Sequence, residues 1–251
     1  MAKQTVRPSP TTGSASEIPA FVTAHDIASH PASNALPAKS TRYYESDRSP
    51  FLEWLGMRQD RVLDIGCGAG RSGAWLRARG ATRIVGIEVD PASAELARAV
   101  YDEVHVASVE SALSGIDEPF DLILCADVLE HLVDPWSVVR RLREHATSET
   151  TLAVSVPNIR NLGALRRIAF GDGFAYETEG IFDETHLRFF TRANARAMLE
   201  GGGWQIERSG RALRSLSARV VSKLTGGFAD EWLAYQWYFV ARMTLSLSGR
   251  R

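Results

Sequence analysis

Cysteine is nearly missing from this chain. Cys67 and Cys125 are the only two in 251 residues, which excludes a disulfide framework, and neither stands in a C-x-x-C or Cys/His metal spacing. Lysine is almost as rare: Lys3, Lys39 and Lys223 are set against 26 arginines, a bias that base composition explains and that carries no function. There is no excess of one charge either, since 29 basic and 30 acidic residues leave a net charge of -1. That excludes a global field drawing in nucleic acid or an anionic membrane, so any such partner needs a local patch. No apolar run approaches the roughly 18–20 residues of a membrane span. The N-terminus also lacks the apolar core, about 7–15 residues long, of a signal peptide. A cytoplasmic, reducing setting is expected, with a small molecule as partner.

What is present is enough for a large core, with 45% hydrophobic and 24% charged residues. Residues 1–40 hold five of the ten prolines, much Ser, Thr and Ala, and no periodic apolar pattern, so a flexible tail is expected there. From Thr41 the text changes, and residues 41–251 read as one domain. Phe51, Leu52, Trp54 and Leu55 lie at helical spacing, which predicts a helix at about 46–56. Short β-rich runs then alternate with helical stretches, the pattern of a parallel sheet covered by helices. Strands are expected at 61–65, 83–88, 104–107, 120–125, 151–156, 204–207 and 235–243. Asp90-Pro91 and Asp134-Pro135 each supply an N-cap followed by proline at the first helical position. Residues 158–190, rich in glycine and aromatics, break the alternation and read as an insertion over the carboxyl edge of the sheet; 211–233 looks helical without clear limits.

The sharpest feature is Val62-Leu63-Asp64-Ile65-Gly66-Cys67-Gly68-Ala69-Gly70, a buried strand turning through three glycines into a helix. Such a turn lets backbone approach a ligand at the carboxyl end of a parallel strand. A P-loop would need Lys-Ser or Lys-Thr after the glycines, and none follows. A dinucleotide fingerprint would put its third glycine where Arg71 stands, so nicotinamide binding takes second place. A phosphate-free, positively charged adenosine compound suits the acid Asp64 just ahead of the glycines, and S-adenosylmethionine meets that description. Glu88, 22 residues after Gly66, ends the second strand where a carboxylate can accept both ribose hydroxyls.

With V-L-D-I-G-C-G-A-G, G-I-E-V-D-P and F-D-L-I-L-C-A-D-V-L-E-H-L in view, the chain resembles the class I S-adenosylmethionine-dependent methyltransferases. R-Y-Y-E, S-V-P-N and D-E-T-H-L-R-F-F-T resemble their small-molecule branch, linked to ubiquinone-type O-methylation or to surface glycans. The resemblance implies an α/β, Rossmann-like, doubly wound sheet of seven mostly parallel strands with the last antiparallel. It implies cofactor contacts at Asp64, Gly66, Cys67, Gly68, Gly70, Glu88 and Val89, at Ser108 and Val109 after the third strand, and at Ala126 and Asp127 after the fourth. Ser108 stands where many relatives carry an adenine-binding aspartate.

Methyl transfer needs acceptor and methyl carbon aligned, and a hydroxyl acceptor must also lose its proton. Imidazole suits that task, and His131 and His186 are the two candidates. No metal is expected, because no clustered ligand spacing is visible. Tyr43, Tyr44, Asn158, Tyr176 and Arg188 are candidates for the acceptor side, with Phe174 and Phe189 as possible walls. The expected reaction is O-methylation of a sugar or glycan intermediate first, or of a quinone or phenol second. A nicotinamide-dependent oxidoreductase and a non-catalytic cofactor-binding module are the competing readings.

Overall fold

Seven strands form one sheet in the order β3-β2-β1-β4-β5-β7-β6. They are β1 (Arg61–Ile65), β2 (Arg83–Glu88), β3 (Glu103–Val106), β4 (Phe120–Ala126), β5 (Ala146–Pro157), β6 (Trp204–Ala212) and β7 (Gln236–Met243). The computed structural model describes residues 48–56, 59–171 and 174–244; the expected tail, Tyr43 and Tyr44 lie outside the described residues. β1 pairs parallel with β2 and β4, β2 with β3, and β4 with β5, while β7 runs antiparallel to both β5 and β6. This is the doubly wound sheet with a reversed last strand that the sequence implied.

Alternation along the strands decides what each face carries. Leu63, Ile65, Val85, Ile87, Ile123, Leu152 and Val154 pack on one face with Trp204 and Phe239. Val62, Ile84, Leu122 and Leu124 pack on the other with Phe51, Leu52, Leu55 and Tyr101. Asp64 falls between two apolar neighbours in a strand buried on both sides, and is itself fully buried. Both faces are covered by helices, namely α1 (Ser49–Leu55), α2 (Arg71–Arg77), α3 (Pro91–Ala97), α4 (Val109–Ala112), α5 (Pro135–Arg141) and α7 (Arg192–Gly201), while α6 (Leu162–Phe170) packs through Ala164 in a separate small cluster with Ile181 and Phe182. Two more, α8 (Leu216–Leu224) and α9 (Asp230–Leu233), fill the connection between β6 and β7. Among the described residues no helix is long and apolar enough to cross a membrane.

The capping signals hold. Asp90 accepts from Ser93 N at 2.8 Å, and Asp134 from Ser137 N at 3.0 Å. Thr191 and Asn194 close a capping box at the start of α7. β5 and β6 are longer than their apolar runs predict. Of the residues added at the start of β5, 146–149 are partly or largely exposed and Thr150 is buried, and most of those that extend β6, the strand at the sheet edge, are likewise partly or largely exposed. Ladder hydrogen bonds continue there without an apolar signature. The insertion after β5 carries one helix that the sequence did not announce, α6.

Candidate active site

The carboxyl ends of β1, β2 and β4 bring the chemistry-bearing residues together. Gly66 N and Cys67 N donate to Ile87 O at 2.8 and 3.0 Å, so the β1–β2 ladder runs on into the glycine turn. A side chain at Gly66 is excluded twice: its φ is +66°, and an added Cβ would stand 2.5 Å from Val128 Cγ2. Gly68 N donates to Glu88 Oε2 at 2.8 Å, while Glu88 Oε1 accepts from Val89 N and Asp90 N, both at 2.9 Å. A carboxylate offers about four acceptor positions. Glu88 therefore locks the turn to the end of β2 and keeps one position for a ligand hydroxyl.

Asp64 lies beneath the turn. Its Oδ2 accepts from the Tyr101 hydroxyl at 2.5 Å, and that hydroxyl accepts from Gly73 N at 3.0 Å. Oδ1 is buried and has no hydrogen-bond partner among the described residues. Burial pushes the Asp64 carboxyl up to about 6, against the pull of Arg48, whose Nη1 donates to Gly66 O at 3.0 Å. A buried carboxylate with one unsatisfied oxygen, held up by desolvation, is relieved by a cationic ligand. The residues present thus fit a positively charged adenosine compound: Asp64 answers its charge, Glu88 a ribose hydroxyl, and the glycines leave room for its backbone approach. The Cys67 thiol is buried and pushed up by that burial, which makes it lining and no nucleophile. Val89 is exposed beside Glu88, and Val109 and Ala126 are buried in the walls. Ser108, expected against the adenine, caps α4 by accepting from Ser111 N at 3.3 Å, so its hydroxyl already has a local task.

Asp127 closes β4 with φ at +55°, the one described non-glycine residue in the left-handed region. It is held there from two strands: its N donates to Ser155 O and Oγ at 3.2 and 3.1 Å, and its Oδ1 accepts from Ser155 Oγ at 2.9 Å and Gln236 Nε2 at 2.8 Å. Such a conformation costs on the order of 1–2 kcal/mol and persists where surroundings enforce it.

His131 and His186, 55 positions apart in sequence, meet edge to face with ring centroids 4.7 Å apart. His131 Nδ1 lies 2.9 Å from Thr185 Oγ1 and 3.2 Å from Thr185 O, and Thr185 Oγ1 donates to the buried Asp183 Oδ1 at 2.7 Å. A carbonyl only accepts, and the threonine proton is already given to Asp183, so Nδ1 is the protonated nitrogen and Nε2 carries the basic lone pair. His186 Nδ1 lies 3.1 Å from Ile181 O and is protonated for the same reason. Its Nε2 is 4.0 Å from Oε1 of Glu130. Glu130 is fully buried, and neither of its oxygens has a hydrogen-bond partner among the described residues; burial, with Asp127 nearby, holds its carboxyl well above the usual range.

One ligand atom each from Glu130, His131 and His186 lies within 4.8 Å of the others, a cluster that could hold a metal ion and that the sequence spacing concealed. Two further candidates turn out to be structural. Asn158 is fully buried, with Nδ2 donating to Glu231 O and Ala234 O at 3.1 and 2.9 Å and Oδ1 accepting from Arg160 N; it ties β5 to the approach of β7 instead of facing an acceptor. Arg188 donates through Nε and Nη2 to Val133 O, fastening the loop after His131. Tyr176 stacks edge to face on Phe174, which meets Phe182 and Phe189 at 4.9 and 5.0 Å, and Phe189 lies 6.3 Å from His186. Sequence reasoning missed Arg48, Tyr101, Glu130, Ser155 and Gln236. Only Glu130 had a visible signal, its place beside His131.

Comparison with known proteins agrees with this geometry. Residues 37–209 match a family described as a methyltransferase domain. The chain is 34% identical over 94 residues, 35% of its own length, to a ubiquinone biosynthesis O-methyltransferase of Pseudomonas fluorescens, and spans 40% of that relative. A SAM-dependent methyltransferase from Archaeoglobus fulgidus superposes with a TM-score of 0.59 at 16% identity, over 79% of this chain and 94% of the other. The magnesium protoporphyrin IX methyltransferase of Synechocystis, solved with bound SAM, superposes with 0.50 at 15% identity, over 81% and 79%. With a family match over more than half its length, on a fold that solved methyltransferases share, this chain belongs to the methyltransferase-domain family.

Proposed function

We propose that the protein methylates a hydroxyl oxygen of a small aromatic acceptor, using His131 as the base. Bound S-adenosylmethionine supplies an electrophilic methyl carbon on a sulfur that leaves as a neutral thioether. Asp64, Glu88 and the Gly66–Gly70 turn hold and orient it, and the chain's remaining task is to present a nucleophilic oxygen in line. His131 Nε2 would take the hydroxyl proton as the acceptor oxygen attacks the methyl carbon that the bound cofactor would supply. The observation that carries this reading is the Asp183–Thr185–His131 chain, which fixes the tautomer and stabilises the imidazolium that results. The aromatic group around Phe174 beside His186 favours a flat acceptor over a glycan, in keeping with the ubiquinone biosynthesis for which the Pseudomonas relative is named.

Incubation of the protein with methyl-labelled cofactor and a catechol probe, followed by mass spectrometry, tests the reading. Label on phenolic oxygen is expected; label appearing only on sugars or nitrogen from a metabolite extract would overturn it. His131→Ala is expected to lower kcat by about 10²–10⁴ and leave S-adenosylhomocysteine affinity unchanged. Parental turnover would dismiss the base. A second reading rests on the Glu130–His131–His186 constellation: a divalent cation there would acidify a bound hydroxyl, in place of the His131 base. Loss of turnover after chelation, restored by magnesium or zinc, selects that reading.

A further inference from the structure

Helix α8 has its amphipathicity reversed. Its buried residues are Ala218 and Ser222, one turn apart, so it rests on the protein along a narrow line of small side chains. Leu216, Val220 and Leu224 occupy one helical face at the i, i+4, i+8 spacing and stand 76%, 49% and 81% exposed, and Phe228 just beyond is 76% exposed. An ordinary surface helix hides such a stripe in the core.

The charge around it has one sign. From residue 208 to 229 there is no Asp or Glu, while Arg208, Arg211, Arg214, Arg219 and Lys223 give five cations in a chain whose net charge is -1. Arg219 and Lys223 of α8, with Arg192 and Arg211, line an open cavity of about 570 Å³, in which Asp230 is the one acidic lining residue and is already paired with Arg211.

An exposed apolar row flanked by cations is the pattern of a helix that lies in the headgroup region of an anionic bilayer. We propose that α8 and Phe228 form such a docking surface: Leu216, Val220, Leu224 and Phe228 enter the acyl boundary, and Arg219 and Lys223 meet the lipid phosphates. Charge selects this occupant, because a second copy of the chain docked through the same face would bring Arg219 and Lys223 against the same two cations. The connection carrying α8 leaves the sheet at Ala212 and re-enters at Gln236, which pairs with Pro157 at the carboxyl end of β5. Docking through α8 therefore engages the edge that holds Asp127, independently of which acceptor the site takes.

Flotation of the full chain with vesicles of phosphatidylcholine alone, and with one third phosphatidylglycerol, tests the proposal at low and high ionic strength. Flotation with anionic vesicles only, weakened by salt, is expected. Replacing both cations, Arg219→Gln with Lys223→Gln, should reduce partitioning about 30-fold. Leu216→Ser with Leu224→Ser should reduce it at least about tenfold, with S-adenosylhomocysteine binding and the melting midpoint unchanged, since both side chains already stand in solvent. Equal binding to neutral and anionic vesicles, no binding to either, or serine variants that float like the parent would overturn it. So would a dimer in sedimentation that those serine variants dissolve, which would assign the face to a second copy.

Discussion

Asp64→Asn sets stability against cofactor binding, and the two should move in opposite directions. Burial raises the Asp64 carboxyl from 3.8 to about 6 in the folded protein. A group whose folded value is raised stabilises the fold below its unfolded value, and that contribution disappears as pH rises through the folded value. At 1.36 kcal/mol for each tenfold shift, ionised Asp64 costs the cofactor-free protein about 3 kcal/mol at neutral pH. Roughly 1.5 kcal/mol of this develops between pH 5 and 7.5. Urea denaturation of parent and variant at those two pH values isolates the effect, because the cost of seating an amide does not change with pH and other carboxylates titrate alike in both. The stability difference should shift by about 1.5 kcal/mol in favour of Asp64→Asn on going from pH 5 to 7.5. Meanwhile the variant should bind S-adenosylmethionine more weakly at pH 7.5, and the parent should release close to half a proton per ligand near pH 6, read by titration calorimetry in buffers of different ionisation enthalpy. A stability difference that does not change with pH, or cofactor binding without proton release, refutes the argument that desolvation of this carboxylate is what the cofactor relieves.

Glu88→Ala removes the acceptor for three backbone N–H groups and the one proposed for a ribose hydroxyl, so calorimetry should show at least about a tenfold loss of S-adenosylhomocysteine affinity, with some loss of stability. Asn158→Ala takes the side-chain donor from Glu231 O and one of two from Ala234 O, which Asn161 Nδ2 still serves; denaturation should show a loss of about 1–2 kcal/mol while cofactor affinity holds. Gly66→Ala combines a positive φ with a collision against Val128, and the melting midpoint should fall by several degrees.

Most of the frame could be read because its signals are local. Strand β1 is announced by its apolar run, α3 and α5 by an aspartate–proline pair, and α7 by Thr191. Those signals depend on neighbours within four residues. The candidate site was legible where one strand end carries it, at Asp64 and Glu88. It was not legible where the fold gathers residues from afar: Tyr101 reaches Asp64 across 37 positions, Thr185 orders His131 across 54, and Gln236 fixes Asp127 across 109. Asn158 and Arg188 were misread for a physical reason, since polar side chains in a loop are recruited to buried backbone as readily as to ligands. Helix α8 resisted reading because its apolar stripe faces outward, so periodicity gave a helix without naming its inner side.

The clamp on Asp127 also orders events in the life of the chain. Its backbone is bent against its own preference by a serine from β5 and by Gln236, which follows it 109 positions later in the chain. During synthesis the glycine turn and both of its acids leave the ribosome long before that glutamine does. A nascent chain therefore carries the glycine turn before it carries the residue that holds the end of β4 in its bend. That bend is secured last, together with the reversed strand.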